Sequence, residues 1–217
     1  MKEIFSGVFR KNGLFFTENL VPGFRSLSEK LIEFKGKEYR VWDPFKSKPC
    51  AGIAKGLKNF PVKKDSKILY LGVASGSTAS FFSDIIGKNG IIYGVEISER
   101  SIRDLNRIAE KRKNIIPILS NAKMPGHYNW IEPVDVIYQD VASDDQSDIL
   151  VRNADVFLKK RGFAMIAIKA RSIDVTKEPK EIFKKETEKL KKFFTVLEKI
   201  DLHPYEKDHM LVVLRFK

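Results

Sequence analysis

Three short segments carry residue types able to grip a ribose-bearing ligand and to handle a proton. Gly72-Val73-Ala74-Ser75-Gly76 follows the apolar run KILYL, and its small residues let a main chain come close to a ligand. Glu96 lies 24 positions after Gly72 and ends the next apolar run, where a carboxylate can accept from both hydroxyls of a ribose. Asn121-Ala122 after PILS can flank a flat base, and Asp140 ends VDVIYQ, leading into Val141, Ala142 and Ser143. Lys169 ends GFAMIAIK. An ordinary lysine is protonated in water, but burial and neighbouring cations bring it toward base competence. A nearby Asp140 would orient Lys169, although its charge opposes that base role.

These positions share one requirement, which is that each stands at the end of a strand. KILYLGVA, GIIYGVEIS, NIIPILSNA, VDVIYQDVA and GFAMIAIKA are apolar runs of strand length. Helical patterns separate several of them, including ASFFSDII with Gly87 able to close it and a segment that Ser98 can cap. Runs this apolar suit parallel strands covered on both faces, so the expected fold is α/β, a Rossmann-like doubly wound sheet. In that fold ligands gather beyond the carboxyl ends of the strands. A helix is expected from Pro179 to Ile200, with Ile182, Phe183, Leu190, Phe193, Phe194 and Leu197 on one stripe. HPYEKDHMLVVLRF then offers a last strand, antiparallel at or near the sheet edge. Asp144, Asp145 and Asp148 suit a helix start and read as structural.

The character of the chain changes near Phe60-Pro61. Before it, GLFFTENL and LIEFKGKEYRVWDP read as β segments with a tight turn at Lys35-Gly36-Lys37. The expected organisation is a small β-rich domain over 1–60 and a ligand-binding domain over 61–217. Lys and Arg outnumber Asp and Glu by 40 to 28, a net charge of +12 that favours a polyanionic partner. Residues 1–60 hold twelve basic and six acidic side chains, half of that excess. No apolar run approaches the roughly 20 residues of a membrane span and the start lacks a signal-peptide core, so a soluble, cytoplasmic protein is expected. The lone Cys50 excludes an internal disulfide and a zinc cluster, and reads as a packing residue.

A glycine turn followed by an acid suits a nicotinamide dehydrogenase and an S-adenosylmethionine enzyme alike. The GxGxxG pattern is absent, and the four-residue spacing of Gly72 and Gly76 is closer to adenosylmethionine-binding loops. Methyl transfer from a sulfonium to a hydroxyl is an in-line displacement that needs alignment and help in removing a proton. Asp140 and Lys169 match those needs.

Longer blocks carry a family resemblance. Asn19-Leu20-Val21-Pro22-Gly23, the run from Tyr39 to Lys48 (YRVWDPFKSK), the run from Leu69 to Thr78 (LYLGVASGST), Arg112 to Pro117, Val134 to Ile137, Ile168-Lys169-Ala170 and Pro204 to His209 (PYEKDH) resemble fibrillarins, in the family's order along nearly the whole chain. The chain begins almost directly at this core without a Gly/Arg-rich leader, so it looks archaeal. The resemblance implies S-adenosylmethionine-dependent 2′-O-methylation of ribose in rRNA and tRNA, directed by box C/D guide RNA. It implies a catalytic set of Lys48, Asp140, Lys169 and His209. It places the cofactor against Ser77, Thr78, Glu96, Ile97, Asn121, Ala122 and the segment from Asp140, with Gly72 and Ala74 in the first loop. Implied partners are the guide RNA, the target RNA, a Nop-domain scaffold and an L7Ae-type kink-turn protein. Asn121 replaces the family's more usual Asp, and Ser77 its more usual Thr; each keeps groups that can hydrogen-bond. Trp42, Phe45 and the other N-terminal aromatics are expected to pack within the platform rather than stack on RNA. A non-catalytic RNA-binding module and a methyltransferase acting on a small molecule or protein side chain remain the rival readings.

Overall fold

The computed structural model describes every residue from Met1 to Lys217. Strands β1 (Lys2–Phe5), β2 (Val8–Lys11), β3 (Leu14–Glu18), β4 (Leu31–Phe34) and β5 (Lys37–Trp42) form an antiparallel sheet in the order β1-β2-β3-β5-β4. Lys35 and Gly36, both at positive φ, make the two-residue turn between β4 and β5, as a twisted hairpin requires. The first hairpin, β1 and β2, has no clear sequence pattern and was not expected. A short helix, α1 (Lys48–Ala54), leads into the main sheet.

The main sheet alternates β6 (Lys67–Leu71), α2 (Ser77–Ile86), β7 (Ile91–Glu96), α3 (Glu99–Lys111), β8 (Ile115–Leu119), β9 (Val134–Gln139), α4 (Gln146–Phe157) and β10 (Leu158–Lys169). Then follow α5 (Ala170–Ile173), α6 (Pro179–Lys191), β11 (Phe194–Asp201) and β12 (His209–Phe216). The spatial order is β11-β12-β10-β9-β6-β7-β8, with β6 to β10 parallel and β12 antiparallel to both neighbours. The chain order reverses between β6 and β9, so the site is expected beyond the carboxyl ends of those two strands. This is the expected Rossmann-like α/β sheet with a small antiparallel sheet before it.

One helix is shorter than its apolar stripe suggests. α6 stops at Lys191, and the next residues form β11. From Phe194 the burial alternates with period two, and Phe193 and Leu197 are exposed. Pairing with β12 satisfies this backbone and outweighs a local pattern that a helix would also fit.

The period of two also divides the core. Ile68 and Tyr70 of β6 join the layer under α2, α3 and the N-terminal sheet, whereas Leu69 and Leu71 join the layer under α4 and α6. Val8, Phe15, Trp42 and Cys50 lie in the first layer, and Trp42 stacks on Phe81 with ring centroids 5.4 Å apart. Two fully buried guanidinium groups lock the small sheet down. Arg40 of β5 donates to Asp84 of α2 at 2.8 Å, and Arg112 after α3 donates to the other oxygen of Asp84. Arg40 also pairs with Glu29 at 2.6 Å, and Arg112 reaches the side-chain oxygen of Asn19 at 2.9 Å. Two carboxylates, the Asn19 amide oxygen and serine oxygens around the two buried cations offset a desolvation cost that neither cation could bear alone.

Candidate active site

The carboxyl ends of β6 to β10 surround a cleft of about 370 Å³. Gly72 turns at φ +74°, and a Cβ there would sit 3.0 Å from the carbonyl oxygen of Asp140. That close approach of two strand ends is why the position takes glycine. Ala74 also has a positive φ, and its N–H donates to Glu96 at 2.8 Å. The other oxygen of Glu96 accepts from the N–H groups of Ile97 at 3.0 Å and Ser98 at 2.9 Å. Glu96 is thus fixed by three main-chain donors, and the first loop and the end of β7 are tied together through it.

The structure brings most of the sequence-predicted residues into this one space. Gly72, Ala74, Glu96, Ile97, Asn121, Ala122, Asp140, Val141, Ala142, Ser143 and Lys169 all line the cleft. Ser77 and Thr78 do not. Ser77 begins α2 and faces a separate cavity of about 240 Å³ beside Lys46 and Ser47. The hydroxyl of Thr78 is buried against that of Ser47 at 3.0 Å. Sequence reading missed Ser120 and Lys123, which lie beside Asn121 on the cleft wall. Their neighbour's position was the only signal available. Lys123 spans to Asp145 at 2.9 Å.

At the mouth, Asp140 stands between two lysines drawn from distant parts of the chain. The ammonium of Lys48, at the start of α1, lies 3.0 Å from one carboxylate oxygen, and that of Lys169 lies 2.8 Å from the other. The Lys169 ammonium is directed at the main-chain carbonyl of Asp140, also at 2.8 Å, so its contact with the carboxylate is ionic and poorly aligned for a hydrogen bond. Glu206, which no spacing singled out, adds a carboxylate 3.6 Å from Lys48 and 4.0 Å from Nδ1 of His209. His209 begins β12 opposite Lys169 in register. Its Nδ1 lies 2.6 Å from the carbonyl of Lys207. A carbonyl only accepts, so Nδ1 carries a proton and Nε2 is left as the acceptor of the neutral ring. Phe45 is exposed and packs edge-on against Tyr205 at 4.9 Å, forming part of the rim.

Lys169 owes its place to a buried glutamine. The Gln146 side-chain carbonyl accepts from the Lys169 N–H at 3.0 Å, while its amide donates to the carbonyls of Lys169 at 3.2 Å and Ser143 at 2.8 Å. Below the acid, Tyr70 and Tyr138 contact edge-on at 4.7 Å. Burial foremost, and Asp140 next, push both phenols well above their ordinary range, so they remain neutral. The floor of the site therefore adds no charge.

The donor set suits an adenosyl ligand. The cleft offers a fixed carboxylate in Glu96, an amide in Asn121 and a buried Ser120 hydroxyl that has no protein partner. A ribose, a base edge and a polar substituent are the groups such a set satisfies. No cluster of His, Cys, Asp or Glu able to hold a metal ion occurs.

Comparisons with known proteins agree with this architecture. The family model described as "Fibrillarin" matches residues 1–217. A Pyrococcus abyssi protein named "Fibrillarin-like rRNA/tRNA 2'-O-methyltransferase" is 53% identical over 200 residues, 92% of this chain and 88% of its own. The crystal structure of Aeropyrum pernix fibrillarin with natively bound S-adenosyl-L-methionine superposes with a TM-score of 0.87 at 43% identity, covering 99% of this chain and all of that one. The fibrillarin chain of a fibrillarin/Nop5p complex gives 0.92 at 39% identity, with both chains covered completely. With a family model spanning every residue and relatives of this identity over almost the whole length, the chain belongs to the fibrillarin family.

Proposed function

We propose that the protein transfers a methyl group from S-adenosylmethionine to the 2′-hydroxyl of ribose in rRNA and tRNA, at sites chosen by a box C/D guide RNA. The observation that carries the reading is Asp140, held between Lys48 and Lys169 at the mouth of an adenosyl-sized cleft. The name of the Pyrococcus abyssi relative and the cofactor bound to the Aeropyrum pernix protein support the activity and the cofactor. The Nop5p complex of a relative supports a Nop-domain scaffold as partner. Target RNA, guide RNA and an L7Ae-type kink-turn protein complete the assembly, in the cytoplasm. No helix is long and apolar enough to cross a membrane. Residues 1–60 serve as the platform that delivers Lys48, and 61–217 as the cofactor domain.

The bound cofactor supplies a methyl group already activated by its sulfonium. The protein's residues do the rest. Glu96 and Asn121 hold the ribose and base, while Asp140 lends negative charge beside the cleft where a cationic ligand ends. Ser77 and Thr78 act from behind the first loop, Thr78 by holding Ser47 and hence the start of α1. Lys169, whose two partners are both oxygen acceptors, donates to the attacking hydroxyl oxygen and keeps it in line. As the new C–O bond forms and the C–S bond breaks, the hydroxyl proton passes to Nε2 of His209. The base role that a lysine at this strand end suggests thus moves to the neighbouring strand, because His209 has a free acceptor and Lys169 does not.

The test combines protein, scaffold, kink-turn protein, guide and complementary target with labelled S-adenosylmethionine, and locates the label. Label at the single guided ribose, lost without guide, is the expected result. Assembly and cofactor binding without label would instead support a non-catalytic RNA-binding module.

A further inference from the structure

We infer that the end of the sheet opposite the catalytic cleft is a second RNA-phosphate contact surface. Strands β6 to β9 are five or six residues long, which puts their amino-terminal ends roughly 17–20 Å from the cleft. Two further clefts open there. One, of about 360 Å³ at the amino-terminal ends of β6, β9 and β10, is lined by Lys63, Lys159, Lys160 and Arg161, with Asp135 as the lone acid. The other, of about 380 Å³ before β7 and β8, is lined by Lys88, Lys111 and Lys113 without any acid. The strands concerned are neighbours in the order β10-β9-β6-β7-β8, so four strand spacings carry the row across about 19 Å.

All seven cations are exposed, and only Lys159 has a carboxylate partner, Asp135 at 2.7 Å. A helix dipole accounts for Lys111, in the last turn of α3, but α2 and α4 have no basic residue in theirs. Lys159, Lys160 and Arg161 sit where β10 slips register between Leu158 and Phe163, and Arg161 takes a left-handed φ of +60° that side chains rarely adopt. The projection is therefore a shaped feature of the sheet end rather than a loose tail. A row of lysines around shallow clefts suits phosphates better than a protein partner, whose contact core is depleted in lysine. The occupant is the backbone of a structured RNA segment away from the methylated ribose. The proposal takes only the identity of the polyanion from the RNA-methylation reading.

The test measures binding of a short RNA duplex lacking guide motifs to the full-length protein, across a range of potassium chloride. The comparison is wild type against the combined variant Lys63→Ala, Lys113→Ala, Lys160→Ala and Arg161→Asn, with asparagine chosen because it tolerates the left-handed φ. Removing four phosphate contacts should lower the slope of log affinity against log salt by roughly 3, with at least about a tenfold loss of affinity at low salt. Unchanged slope and affinity would overturn the proposal. So would a variant that loses binding only to phosphatidylserine vesicles and keeps RNA. A second measurement needs no variant: RNA should shield Lys113 and Lys160 of the wild type from acetylation, and equal labelling with and without RNA would refute the contact. Guided methylation of a minimal target is scored separately, so failure of the enzyme reading and failure of this surface are told apart.

Discussion

The two ends of the parallel sheet treat positive charge in opposite ways. At the carboxyl end Lys48 and Lys169 share one carboxylate, Glu206 adds a second near Lys48, and the Lys169 main chain is clamped by Gln146. At the amino end six of the seven cations lining the two clefts have no carboxylate within ion-pair distance. A cation with a carboxylate partner is held in one place and can serve a reacting atom. A cation without one meets diffuse charge and tolerates many positions of its partner. The same two residue types, lysine and arginine, therefore do different work according to what stands beside them.

The sharpest way to break this contrast is Asp140→Ala, which removes the shared carboxylate and leaves two lysines facing each other. Methyl transfer should fall below about one-thousandth of wild type with the fold intact by circular dichroism. Wild-type turnover in this variant would end the assignment. Next, Lys169→Ala and His209→Ala should each cost about 10²–10⁴-fold in turnover with cofactor affinity nearly unchanged. A variant of either that keeps full rate takes its residue out of the reaction. A buried charge beneath the second basic cleft supplies the structural counterpart. Asp84→Ala leaves the buried Arg112 without a carboxylate and Arg40 with Glu29 alone, and should lower the unfolding free energy by about 3–5 kcal/mol, read from denaturant curves.

A smaller effect concerns Asp145 on the rim. Burial pushes its carboxyl up, but hydrogen bonds from Ser143, Lys123 and Arg152 outweigh this and hold it at about 2, below its ordinary 3.8. Because the folded value is the lower one, the stabilisation is present above pH 4 and is lost as pH falls through about 2. Asp145→Asn should therefore lower stability at neutral pH and change it little near pH 2, which flattens the acid limb of the stability curve. Smallest of all, the four-residue variant of the amino end should methylate a minimal guided target at the wild-type rate. A large drop there would show that the two ends are not independent.

Much of the site was legible because a parallel strand ends abruptly. Gly72, Glu96, Asn121, Asp140 and Lys169 each follow an apolar run, and the fold rule sends all such ends to one edge. Glu206 and Gln146 were not legible. One lies in an irregular loop and the other inside a helix start, and their roles exist only through residues 3.6 Å away across the fold or 23 positions along the chain. The two added strands β1 and β2 and the early end of α6 were hidden for a related reason: pairing with a distant partner decides a strand, and a local stripe does not report it.

The sequence by itself determined the alternation of strands and helices, the strand-end residues and the surplus of positive charge, since all three depend on local pattern and composition. Tertiary structure alone decided which cations face a carboxylate. That depends on bringing Lys48 and Asp140 together across 92 positions, and on leaving all of the opposite row but Lys159 without a carboxylate partner; chain spacing carries no information about either.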